Sequence, residues 1–132
     1  MGYYLDRQDH TREQAVSSVG YNPGEGTVVR VEGVQASPAA VRPGETVNLM
    51  ATYSILTPAA GQSVLVRETR EVRHDGALVA NPTTEVTRAN GTFTSAVPIT
   101  LAAGSPRGAY EVLTTVQVDG RLSRSSATFR VQ

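Results

Sequence analysis

From Thr27 to the end of the chain, apolar side chains recur at every second position, and that period excludes most folds. The clearest stretch sets Val47, Leu49, Ala51, Tyr53 and Ile55 against Thr46, Asn48, Met50, Thr52 and Ser54. Successive strand residues point to opposite faces, so such a segment buries one face and wets the other. The same alternation runs through Val29–Val31, Phe93–Leu101, Tyr110–Val118 and Ala127–Val131, and Ser63–Arg73, Ala77–Ala80 and Glu85–Arg88 read as further strands between turns. Turn chemistry separates the runs: Arg42-Pro43-Gly44, Pro58–Gly61, His74-Asp75-Gly76, Asn81-Pro82, Asn90-Gly91, Gly104–Gly108 and Asp119-Gly120. Asn90-Gly91 reads as a two-residue hairpin turn. Seven or eight strands in roughly 105 residues, with turn signals every 8–12, predict an antiparallel sandwich. A parallel α/β sheet is excluded, because no crossover helix is available.

The first 26 residues read differently. Thr11 and Gln14 have capping-box spacing, Glu13 lies in the first turn, and Ala15, Val16 and Val19 follow at helical spacing before Gly20. This predicts a short helix over Arg12–Val19, with residues 21–26 as a linker. A helix of about eight residues is unstable alone in water. The expectation is therefore weak or absent docking of the helix and a disordered Met1–Asp9. Met1-Gly2 reads as a start residue plus a cloning residue, and no apolar leader follows it.

Three stretches resemble bacterial immunoglobulin-like and fibronectin-III-like modules. They are Pro43-Gly44-Glu45-Thr46-Val47-Asn48-Leu49, Pro106-Arg107-Gly108-Ala109-Tyr110-Glu111-Val112, and Asp119-Gly120 followed by Phe129-Arg130-Val131. The resemblance spans roughly residues 27–132 at the superfamily level. It implies an all-β, seven- to eight-stranded antiparallel Greek-key Ig-like β-sandwich, preceded over residues 1–26 by a short helix or a disordered lead. It also implies that Tyr110 forms a tyrosine corner, its hydroxyl bonded to nearby backbone. A periplasmic, cell-surface or secreted setting is implied as well.

Composition narrows the chemistry. Twelve arginines balance twelve acidic residues, and the chain has no Lys, Cys or Trp. Zero net charge gives no electrostatic reason for a nucleic-acid partner. Without cysteine there are no disulfides, thiolate metal sites or thiol nucleophiles. No apolar run reaches the ~20 residues of a membrane helix, so no membrane insertion is expected within this segment. His10 and His74 are the two histidines. His74-Asp75 sits in a turn, without the nucleophile a triad requires. Asp6, Asp9, His10 and Glu13 would align as metal ligands on a helix, but the capping argument places the first three before the helix begins. Gly24-Glu25-Gly26 lacks the flanking strand and helix of a phosphate loop. Asn90-Gly91-Thr92 matches a glycosylation sequon, and the turn reading explains the same residues. No cofactor, metal or catalytic residue is expected.

The unusual segment is Arg67-Glu68-Thr69-Arg70-Glu71-Val72-Arg73. Arg67, Thr69, Glu71 and Arg73 share one strand face, while Glu68, Arg70 and Val72 share the other. The second face would set Glu68 and Arg70 at core level, which is costly unless they pair or a bulge turns them outward. One reading is a strand near a sheet edge, its charges discouraging aggregation. The other is an interaction face built on Arg67, Arg70 and Arg73. The chain as a whole reads as a non-catalytic envelope or secreted module, a spacer or protein-interaction domain, monomeric or weakly oligomeric. Its partner would be another protein or the remainder of its own longer chain. Two alternatives stand beside that reading. One is a glycan-binding module using the Arg-rich strand. The other is an inhibitor-like sandwich presenting Thr57–Gln62 or Gly104–Arg107 to a protease.

Overall fold

The computed structural model describes residues 3–132. Ten strands form two sheets: β1 Leu5–His10, β2 Val28–Ser37, β3 Ala40–Val41, β4 Thr46–Leu56, β5 Val64–His74, β6 Ala77–Ala80, β7 Thr83–Arg88, β8 Gly91–Thr100, β9 Gly108–Val118 and β10 Arg121–Val131. One sheet, here sheet A, has the order β1-β8-β4-β2. The other, sheet B, has the order β3-β10-β9-β5-β6, with β7 also paired to β5. The chain is thus an all-β sandwich. Every pairing is antiparallel except the two-residue parallel contact of β3 with β10.

The alternation is realised in the core. Val47, Leu49, Val97, Ile99, Tyr110, Val112, Phe129 and Val131 form one buried cluster; Ala51, Tyr53, Ile55, Val66, Phe93, Val116 and Val118 form another. Tyr110 is completely buried, stacked between His74 at 4.5 Å and Phe129 at 5.1 Å. Its hydroxyl donates to the Pro106 carbonyl at 2.6 Å. The two hairpin turns at Asp75-Gly76 and Asp119-Gly120 place all four residues at positive φ, as the twist of such turns requires.

Four expectations are corrected. First, residues 5–10 are not disordered but form β1, paired with β8 from Leu5↔Ala96 to His10↔Thr92. Of the stretch expected to be disordered, Met1 and Gly2 lie outside the described residues. Second, the helix α1, Arg12–Val19, is docked: Ala15 is fully buried against Tyr21 and Leu56, and Arg12 Nη2 donates to the Thr57 carbonyl at 2.9 Å. Tertiary packing supplies what eight residues of helix cannot. Third, Asn90-Gly91 is not a hairpin turn. It carries the chain from β7 in sheet B to β8 in sheet A. The buried Asn90 side chain accepts from Thr57 N at 2.7 Å and donates to Thr57 Oγ1 at 3.0 Å and to the Gln62 carbonyl at 3.1 Å. Gly91, at φ +148°, leaves room for Gln8 and the His10 carbonyl, into which a Cβ would press. Fourth, β5 is no edge strand, since β9 flanks one side and β6 and β7 the other.

The true edges are blunted otherwise. β1 carries Asp6, Arg7 and Asp9; β2 is bulged between Val31 and Gly33, with Val31 N donating to Ser123 Oγ at 2.9 Å; β6 is short and bulged. Charges, bulges and short lengths are the usual protection against edge-to-edge pairing.

Tyr110 gives a direct test. Tyr110→Phe should lower stability in urea unfolding by about 0.5–1.5 kcal/mol for the lost hydrogen bond. Tyr110→Ala should cost about 3–5 kcal/mol, as aromatic core truncations do.

Candidate functional site

A belt of polar side chains crosses the waist of the sandwich and divides its two apolar clusters. On β5, Glu68 and Arg70 lie between Val66 and Val72; on β8, Ser95 lies between Phe93 and Val97; on β9, Thr114 lies between Val112 and Val116. All four polar residues are buried, with Glu68 and Arg70 wholly inaccessible. Strand geometry forces this arrangement, because residues 68 and 70 share the inward face with 66 and 72.

Glu68 is the centre of the belt. Its Oε1 accepts from Arg70 Nη1 at 2.9 Å and Ser95 Oγ at 2.7 Å. Its Oε2 accepts from the hydroxyls of Tyr53 and, at 3.0 Å, Tyr3, with Arg88 Nη2 at 3.5 Å. Arg70 Nη2 reaches Ser95 Oγ at 3.0 Å and the Ser95 carbonyl at 3.2 Å. Arg88 donates through Nε to Tyr53 at 2.6 Å and through Nη2 to Asp6 on β1 at 2.7 Å, its guanidinium lying 4.7 Å from the Phe93 ring centroid. Two carboxylates thus meet two guanidiniums, so the buried charge is balanced. Burial by itself pushes the Glu68 carboxyl up; the Arg70 charge and the hydrogen bonds from Tyr53, Ser95 and Arg70 outweigh it and hold the carboxyl below its ordinary 4.5. Burial raises the Tyr53 hydroxyl, as does the adjacent Glu68 charge. Burial, reinforced by Glu68, pushes Tyr3 up to about 12. The lowered Glu68 carboxyl and the raised Tyr53 and Tyr3 hydroxyls keep the negative charge on the carboxylate, as a clamp between the sheets requires.

The three arginines of the expected interaction face are therefore not together. Arg70 is inside the clamp. Arg67 and Arg73 stand on the outer face of sheet B, Arg67 beside Glu85 at 3.5 Å and Arg73 beside Glu71 at 3.0 Å. The antiparallel registers place Arg124 and Arg130 of β10 on that same outer face, with Leu113 and Thr115 of β9 between the two rows. The side chains of Arg124 and Arg130 have no hydrogen-bond or ion-pair partner among the described residues. The pattern on β10 that carries them, Arg121 to Arg130, attracts no notice as a motif, because the two arginines are six residues apart and meet Arg67 and Arg73 only through β9.

Other candidate residues are dispersed. Asp6 serves Arg88, and Asp9 accepts from Arg7 at 2.7 Å and from Thr94. His10 and Glu13 border an open hollow with Gln14, Ser17 and Ser18. Among the described residues no group of three or more His, Asp or Glu side chains is placed to hold a metal ion. Asn90 of the sequon is buried and engaged, and the Thr57–Gln62 loop is tied to it at both ends. No helix among the described residues is long and apolar enough to cross a membrane.

No protein-family model matches the chain, and no curated protein matches its sequence. Solved structures do match in fold. A glycosyl hydrolase family 2 member from Bacteroides cellulosilyticus has a TM-score of 0.57 at 11% identity, over 78% of this chain and 15% of that one. The sporulation control protein Spo0M of Bacillus subtilis gives 0.53 at 18%, over 81% and 49%. The alkylpurine DNA glycosylase AlkC of Pseudomonas fluorescens gives 0.53 at 20%, over 79% and 30%. The chain spans half or less of each of these proteins. At such identities the likeness concerns architecture alone, a two-sheet β-sandwich.

Two measurements test the clamp. Removing one partner of a buried ion pair strands the other, so Arg70→Ala should cost about 3–5 kcal/mol in urea unfolding, whereas the paired change Glu68→Leu with Arg70→Met should cost less than either single loss. The second is pH dependence. With its folded-state value held below 4.5, ionised Glu68 contributes fully above that pH, and the contribution is lost as pH falls through the folded value. Glu68→Gln should therefore flatten the acid limb of the stability profile while lowering its neutral plateau.

Proposed function

We propose that this chain is a non-catalytic module of an extracytoplasmic bacterial protein, and that it docks a protein partner or a neighbouring domain through the outer face of sheet B. The observation that carries the reading is that face itself. Four arginines stand on two strands that flank β9, 67 and 73 on β5 and 124 and 130 on β10, and two of them lack an internal partner among the described residues. Leu65 and Leu122, 57% and 48% exposed, lie toward the end of the same face that carries the β9–β10 turn. Arginine is among the residues enriched at protein interfaces, and the exposed leucines add apolar area that docking would bury. A rigid sheet backed by a clamped core also loses little entropy on docking. The fold's recurrence as a minor part of longer proteins supports a role as one module among several. The immunoglobulin-like resemblance supports the extracytoplasmic setting.

Site-specific photocross-linking in the native host tests the surface. A benzoylphenylalanine replacing Thr115, in the middle of the face, should capture a partner, and Arg124→Glu with Arg130→Glu should abolish that capture. The same probe at Met50, on the outer face of sheet A, should not capture it. Capture from Met50 alone would move the interface to the other sheet. Hydrolytic turnover by the pure chain on glycoside, ester and peptide panels would overturn the non-catalytic reading.

A further inference from the structure

Where β5 turns into β6, the outer face of sheet B is not flat. A hollow of about 370 Å³ opens there, lined by Arg73, Asp75, Gly76, Ala109, Tyr110, Glu111 and Thr128. That volume lies at the small end of the ~300–1,000 Å³ typical of ligand sites. Gly76, Ala109 and Tyr110 contribute apolar atoms and backbone, while the four remaining residues contribute polar groups. The register explains the convergence: Arg73 lies opposite Glu111 across β5–β9, and Glu111 lies opposite Thr128 across β9–β10.

The polar groups differ in how far they are already engaged. Arg73 is pinned, with Nη2 on Glu71 at 3.0 Å and Nη1 on the Gly76 carbonyl at 3.3 Å, which leaves the other donors of its fork free. Asp75, 89% exposed at its side chain, touches His74 Nε2 at 3.3 Å. Glu111 and Thr128 have no side-chain partner among the described residues, even though Glu111 faces Arg73 across the strands. Beneath the hollow, His74, Tyr110 and Phe129 are stacked, and His74 Nδ1 lies 3.1 Å from the Ala109 carbonyl. The floor is therefore held rigid by the core.

We propose that this hollow binds a neutral, hydroxyl-rich ligand, a saccharide unit. The charges decide the class. An anion would face Asp75 and Glu111; a cation would face Arg73. Vicinal hydroxyls both donate and accept, and so can satisfy the two carboxylates, the free guanidinium donors and the Thr128 hydroxyl together. The site shares Arg73 with the docking face but lies away from Arg124 and the Leu65–Leu122 end, and it does not depend on that face docking a protein.

Amide chemical-shift titration of the isotope-labelled chain tests it with cellobiose, maltose, lactose and N,N′-diacetylchitobiose, each taken to tens of millimolar. At least one should give saturable shifts centred on Gly76, Ala109, Glu111 and Thr128. Glu111→Gln keeps the shape and removes the charge, and should weaken that binding about tenfold. Thr128→Ala should weaken it severalfold, and Glu85→Gln, on the same face outside the hollow, should leave it unchanged. Unchanged amide spectra elsewhere in each variant would separate lost contacts from lost folding. The proposal is overturned if no sugar gives saturable shifts, if the shifts centre elsewhere, or if sodium glucuronate or an Arg-containing tripeptide binds there more tightly than every neutral sugar.

Discussion

Glu68 is the constraint on which the rest of the molecule depends. A carboxylate sealed between two sheets is tolerable only when its lone pairs are filled and its charge is answered. Here the answering groups come from both layers: Arg70 from its own strand, Arg88 from β7, and Tyr53 and Ser95 from the facing sheet. An apolar core of valines could pack in more than one register. A carboxylate with named donors opposite it cannot slide without leaving a charge stranded. The clamp thus fixes how the two sheets sit on each other, and Arg88 extends it to Asp6 on β1. The N-terminal strand is in this way drawn into the same network.

That demand also sorts the arginines between interior and surface. On β5 the alternation turns Arg70 inward and leaves Arg67 and Arg73 outside. The outer face of sheet B then carries its arginines on separate strands, some neutralised locally and others free. Surface ion pairs such as Arg67–Glu85 contribute little to stability, so this face can serve recognition without endangering the fold. Stability resides in the waist and the two apolar clusters, and the surface is left to vary. This division suits a fold that recurs, at low sequence identity, inside proteins as different as a glycosyl hydrolase and a sporulation control protein.

Much of this was legible along the chain. Period-two alternation specified strands, their inward faces and an all-β sandwich, because side-chain direction in a strand is a local property. The capping box of α1, the left-handed Gly20 and the positive-φ turns at Asp75-Gly76 and Asp119-Gly120 were local as well. Even the clamp left a trace. Glu68 and Arg70, Ser95 and Thr114 interrupt three apolar faces at inward positions, which marks them as buried and in need of partners. What the sequence could not supply was who those partners are. Tyr53, Arg88 and Tyr3 lie 15, 20 and 65 residues from Glu68. Only sheet order and register bring them within reach. The same limit explains Asn90-Gly91, whose turn chemistry is compatible with a hairpin but whose neighbours β7 and β8 belong to different sheets. It explains β1 too, where a polar hexapeptide with no core pattern becomes ordered because the edge of β8 and the Arg88 guanidinium await it. Sequence alone determined which residues turn inward, since that depends on the backbone of one strand; tertiary structure decided which of them meet, since that depends on contacts whose free energy exists only once both sheets are in place.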